Sequence, residues 1–93
     1  MENLPSQNKF KIAETATFQK SIKHSKKIYE KIQNIVYPQL KANPFFGPNI
    51  KKLHPPLAPM YRYRIGNHRL FYHIEKSQIT VFIIDLKQRK EAY

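Results

Sequence analysis

Three arginines fall within the stretch YRYRIGNHRLFYHI (61–74), at Arg62, Arg64 and Arg69, spaced as groups that a hairpin would gather on one face. A guanidinium is a permanent cation whose planar fork of N–H donors matches the oxygens of a phosphate. It stabilises negative charge but is a poor proton acceptor, so acid–base work beside it falls to another group. His68 and His73 lie in the same stretch, and histidine titrates near neutrality. The chain turns basic again at Lys87, Gln88, Arg89 and Lys90 and then reaches Tyr93, a phenol able to stack on a base. The chemistry these residue types suggest is contact with a phosphate and stabilisation of charge developing on it.

The elements that must position them are legible locally. Tyr61, Tyr63 and Ile65 alternate with Arg62 and Arg64, the period of a half-buried strand. Gly66-Asn67 then separates two such runs, and glycine at the first central position suits a type II′ turn. That turn sets Ile65 opposite His68, Arg64 opposite Arg69, and Arg62 opposite Phe71. Like charges directly opposite destabilise a sheet by about 0.2–1 kcal/mol per pair. An anion lying across the hairpin removes that penalty, whereas a merely solvated basic face is the default for surface arginine. By alternation His73 shares the face of Arg69 and Phe71, and His68 belongs to the core-directed set. His73 is therefore the candidate proton shuttle. Phe71 is placed to stack a base or to shield the sheet, while Tyr61, Tyr63 and Tyr72 fall on the core side.

Composition narrows the partners. The 93 residues suit one domain over 1–93, with residues 1–8 expected to be a flexible arm. There are no cysteines, so neither disulfides nor thiolate metal sites are available. The opening MENLPSQN lacks the layout of a secretory signal, and no apolar run approaches the ~20 residues that span a bilayer. A soluble, cytoplasmic protein is expected. Lys and Arg number 17 against 6 Asp and Glu, a net charge of +11 with a pI near 10.0. That bias points to a polyanion, with nucleic acid favoured over a membrane surface.

Along the chain, KFKIAETA reads as a strand at about 8–14, and Thr15 and Thr17 offer helix caps. Phe18 and Ile22 mark a short helix to about His24. Ser25 can cap a second helix, whose Ile28, Ile32, Ile35, Val36 and Leu40 make one apolar stripe. Pro38 must kink that helix or end it near Val36. Its lysines (Lys26, Lys27, Lys31, Lys41) fall mostly off the stripe, on a solvated face. The connector ANPFFGPNIKKLHPPLAP (42–59) holds five of the seven prolines, with Phe45, Phe46, Ile50 and Leu53 expected to pin it to the core. Lys51, Lys52 and His54 could extend the basic surface. After the hairpin, ITVFIIDL (79–86) is apolar on both alternate sets, as a central strand should be. The expected fold is α+β in the order β-α-α-β-β-β, two helices packed on one face of a four-stranded, mainly antiparallel sheet. A central strand delivers Lys87, Arg89, Lys90 and Tyr93 beside the hairpin, where Arg89 and Tyr93 could complete a cleft for an RNA backbone.

YRYRIGNHRLFYHI followed by VFIIDLKQRKEAY resembles the C-terminal half of the RelE/ParE toxin superfamily, and is most similar to its RelE branch. The β-α-α order and the NPFFGPNIKKL connector extend the resemblance over nearly the whole chain. It implies a ribosome-dependent endoribonuclease that cleaves mRNA in the A site by attack of a ribose 2′-OH, without metal or cofactor. It also implies ribosome, mRNA and rRNA as partners, and neutralisation by a cognate acidic antitoxin in a hetero-oligomer. Residue by residue, the resemblance gives Arg62, Arg64, Arg69 and Arg89 roles in phosphate contact and transition-state stabilisation. Tyr93 would stack a base or transfer a proton, and Lys51, Lys52, Phe71, Lys87 and Lys90 would support RNA binding. Two features depart from the pattern: some relatives carry lysine where this chain has Arg62 and Arg64, and many carry histidine or lysine where it has Gln88. A ParE-type toxin acting on DNA gyrase, or a degenerate member that only binds antitoxin, are the alternatives.

Overall fold

A computed structural model describes residues 9–57 and 59–88. Strand β1 (Lys11–Glu14) leads into helix α1 (Ala16–Ile22). Helix α2 (Lys26–Lys31) passes through a π-helical turn (Ile32–Val36) into helix α3 (Tyr37–Ala42). Strands β2 (Ile50–Lys52), β3 (Tyr61–Ile65), β4 (His68–Glu75) and β5 (Thr80–Gln88) follow. The sheet order is β1-β5-β4-β3-β2, with β1 parallel to β5 and every other pairing antiparallel. The α+β class, the helices on one face and the interior position of β5 follow the expectation. The strand number does not. Five strands form, because Ile50–Lys52 of the connector pairs with β3, Lys51 opposite Arg62.

Local chemistry explains the helix boundaries. The Thr15 hydroxyl accepts from the Phe18 amide at 3.2 Å and donates towards the Ile83 and Ile84 carbonyls at 2.7 and 3.0 Å. One side chain thus starts α1 and ties it to β5. Ser25 occupies the corresponding position before α2, but its hydroxyl makes no capping bond. Pro38 does not end the following helix. Pro38 has no N–H for the usual i→i−4 bond, and the turn just before it widens so that the Tyr37 amide reaches Ile32 O. The helical path then continues to Ala42.

Phe18, Ile32, Val36, Leu40, Leu70, Tyr72, Val81 and Ile83 are completely buried between the helices and the sheet. Each such apolar side chain contributes about 1.5–3 kcal/mol relative to exposure. Ile35, expected on the same stripe, is 47% exposed, and Tyr37 is buried instead. The wide turn rotates the stripe at that point. Buried tyrosine hydroxyls all find acceptors: Tyr72 reaches Pro44 O at 2.7 Å, and Tyr63 reaches Gln39 Oε1 at 2.7 Å. Tyr29 and Tyr37 both donate to Glu14 Oε2, at 2.8 and 2.7 Å. Burial first, then the Glu14 hydrogen bond, raises the pKa of Tyr37 far above the ordinary phenol value, and raises that of Tyr29 by the same causes. Among the described residues no helix is long and apolar enough to cross a membrane.

Candidate anion-binding face

The hairpin forms with the expected pairing: Ile65 opposite His68, Arg64 opposite Arg69, Arg62 opposite Phe71. Gly66 has φ +61°, as the first central position of a type II′ turn requires. A two-residue turn makes Ile65–His68 a hydrogen-bonded pair, so Arg64–Arg69 must be a non-hydrogen-bonded one. The Arg64 amide accordingly points outward, donating to Asn49 O at 2.9 Å. In such pairs the Cα atoms approach to about 4.5 Å and the side chains lie closest. The two guanidiniums therefore leave the backbone where crowding on the sheet is greatest.

Register extends this pair into two rows on the face opposite the helices. One runs Arg64, Arg69, Lys87 across β3, β4 and β5. The other runs Lys51, Arg62, Phe71, Asp85 from β2 to β5. Lys51 and Lys87 thus lie in the arginine rows, whereas Lys52 pairs with Tyr61 and belongs to the helix-side set at the sheet edge. A bulge in β5 sets Phe71 opposite Asp85 but Tyr72 opposite Ile83. The extra residue, Ile84, shifts the alternation and brings Leu86 into the core. Asp85 accepts from the Ser21 hydroxyl of α1 and lies 3.6 Å from Lys87 Nζ. Its carboxylate is turned to those partners.

Burial distinguishes the middle of this face from its solvated rim, where Lys51, Arg64 and Lys87 are exposed. Arg69 is only 7% exposed and Phe71 only 8%. Arg69 Nη1 donates to His68 O at 3.2 Å, and Arg62 Nη1 makes a long contact of 3.5 Å with Asn49 O. The Nε groups of both arginines are buried without a hydrogen-bond partner among the described residues. A buried donor left unpaired costs about 1–3 kcal/mol. Among the described residues each of these two cations keeps one buried donor unpaired, an arrangement that suits an anion. Phe71, opposite Arg62, is too enclosed to offer a free stacking surface.

His73 stays on this face but away from the arginine pair. It stands four residues along β4 from Arg69, roughly 13 Å at ~3.3 Å per residue, with Nε2 3.6 Å from Glu75 Oε1. His68 lies on the other side, in a polar cleft of about 200 Å³ with Ser21, Ser25, Leu86 and Gln88. Arg89, Lys90 and Tyr93 lie outside the described residues. Asn49 was not singled out by the sequence reading, and its carbonyl serves both arginines of β3. The only signal for it is its position just before the IKK strand.

A family model described as the ParE toxin of type II toxin–antitoxin systems matches residues 10–93. The chain belongs to that family. The toxin shares its fold with solved structures from distant organisms. In the RelBE2 toxin–antitoxin complex of Mycobacterium tuberculosis a chain superposes with a TM-score of 0.76 at 23% identity, covering 91% of the toxin and 97% of that chain. The RelE–RelB complex of Pyrococcus horikoshii gives 0.69 at 20% identity, covering 87% and 96%. The YoeB/ParE toxin of Agrobacterium tumefaciens gives 0.71 at 20%, covering 85% and 98%. No curated protein sequence matches. The superfamily placement read from the hairpin therefore stands. The branch within it is a question of chemistry.

Proposed function

We propose that the toxin is an endoribonuclease that cuts ribosome-bound mRNA in the A site. In the reaction the ribose 2′-oxygen loses its proton and bonds to the adjacent phosphorus. The P–O5′ bond breaks, leaving a 2′,3′-cyclic phosphate and a protonated 5′-hydroxyl. The phosphorane-like transition state carries extra charge on its equatorial oxygens, which donors already in place stabilise most. The observation that carries the reading is the Arg64–Arg69 pair, with the Nε groups of Arg62 and Arg69 beside it buried and without partners among the described residues. Arg62, Arg64, Arg69 and Arg89 would hold the phosphate, and Tyr93 would stack on a base. Lys51, Lys87 and Lys90 would track the backbone.

The arginines are no bases, and His73 stands away from them with Nε2 3.6 Å from Glu75. The ribosome is assigned the ordering of the substrate, so free RNA should be cut negligibly. Primer extension on a message translated with and without the toxin tests this: new 5′ ends in phase with codons are expected. Arg69→Ala and Arg89→Ala should each abolish them, since one such donor is worth about 2–4 kcal/mol. Equal cleavage of naked RNA, or full toxicity of both folded variants, refutes the assignment.

The match to the ParE model favours a second reading, inhibition of DNA gyrase without nuclease activity. Loss of gyrase supercoiling by the purified toxin, with no new mRNA ends, would establish it instead. Under either reading we assign the toxin an acidic antitoxin partner, since toxin–antitoxin complexes share its fold and its net charge is +11. Their association rate should fall steeply with salt.

A further inference from the structure

Phe46 was expected to anchor the connector to the core, and the structure turns it outward, 79% exposed. The segment around it is firmly built. Asn43 Oδ1 accepts from the amides of Phe45 and Phe46 at 3.0 and 3.4 Å, and buried Pro44 offers its carbonyl to Tyr72. Phe45 packs edge-on against both Phe10 and Tyr61. On the far side the Ile50 amide donates to Gly47 O at 3.1 Å, and a Cβ on Gly47 would stand only 3.1 Å from Ile50 Cδ1. Both flanks of Phe46 are thus fixed, and the ring between them is presented to solvent.

Its neighbours along the chain belong to the arginine face. Asn49, whose carbonyl holds Arg62 and Arg64, is three residues on, so the two Cα atoms lie within about 11 Å. Lys51 continues the Arg62 row to the sheet edge, and Lys52 is exposed beside it. An exposed aromatic a few residues along the chain from a row of cations has the make-up of a single-strand site, cations along the backbone and a ring under a base.

We propose that Phe46 is a stacking platform for an unpaired base of the RNA strand whose phosphates cross the arginine face. The inference rests on the RNA reading and extends the site past β3 to the connector, giving the strand a second fixed point. Because stacking accepts any base, it adds affinity with little sequence preference.

The test measures binding of a short fluorescein-labelled oligouridylate, 2′-O-methylated to block cleavage, by anisotropy. Phe46→Ala should weaken binding about 5- to 100-fold, the range for loss of one stacked base. Its melting temperature should match the wild type, since the ring is exposed. Phe46→Trp should bind as tightly as wild type, and because the chain has no other tryptophan, quenching of its fluorescence reports the stack directly. Arg62→Gln and Arg69→Gln on the same probe test the RNA reading by itself. If they lose binding while Phe46→Ala does not, the platform is refuted and the reading stands. If they bind like wild type, the RNA reading falls and takes the platform with it. Unchanged RNA affinity with weakened antitoxin affinity would make Phe46 a protein contact and overturn the proposal.

Discussion

Replacing Arg69 with methionine should make the toxin more stable while removing its activity. Methionine keeps most of the buried stem of a side chain that is 93% enclosed and deletes the charge. Arg69 stands between two like charges, Arg64 on one neighbouring strand and Lys87 on the other. Relief there is worth about 0.2–1 kcal/mol per pair. Removing the unpartnered Nε recovers about 1–3 kcal/mol. Against this stands the Nη1 bond to His68 O, worth about 0.5–1.5 kcal/mol. The balance favours the variant by about 2 kcal/mol at mid-range, which at this size raises the melting temperature by roughly 8–16 °C. Urea unfolding monitored by circular dichroism reads the same difference as a higher midpoint at unchanged slope. A short RNA strand should stabilise the wild type and leave the variant nearly unmoved, since ligand stabilisation follows affinity for the folded state. A loss of 1 kcal/mol or more in Arg69→Met would show that the arginine serves the fold, and the argument for a waiting anion site would fail.

Three further outcomes are expected. Burial raises the pKa values of Tyr37 and Tyr72 above the ordinary 10.0, so above pH ~10 the unfolded chain releases protons that the folded one retains. Stability should fall with pH from there by up to about 1.4 kcal/mol per unit for each tyrosine, and alkaline denaturation of Tyr72→Phe should show a shallower decline. Thr15→Ala removes the α1 cap and its bonds to β5 and should cost about 1–2 kcal/mol in urea unfolding. Ile79 is a β-branched residue at φ 49°, a conformation that strains L side chains by about 1–2 kcal/mol. Ile79→Gly relieves that strain but gives up the covered part of a side chain that is 39% exposed and adds chain entropy, so it should cost no more than about 1–2 kcal/mol, less than the same change at an unstrained position, which calorimetry can check.

The arginine hairpin was legible because everything that sets it is local. Alternation assigns the faces, Gly66-Asn67 fixes the turn, and a two-residue turn leaves one register, so the Arg64–Arg69 pair follows from a few consecutive residues. The helices were legible for the same reason, through the Thr15 cap and the spacing of Ile32, Val36 and Leu40. What the sequence could not show depends on partners distant along the chain. Ile50–Lys52 carries no strand pattern of its own and becomes β2 only because β3 offers a free edge. The bulge at Ile84 is a shift in the register of β5 against β4 while β1 pairs along its other edge, and no single window contains both partners. Phe46 and Phe45 are neighbours of the same type, yet one is packed between Phe10 and Tyr61 and the other faces water. Charge and residue type could mark the arginines as cations. Only the packed sheet could bury two of their Nε groups without partners among the described residues, because burial is a property of the surroundings and not of the residue.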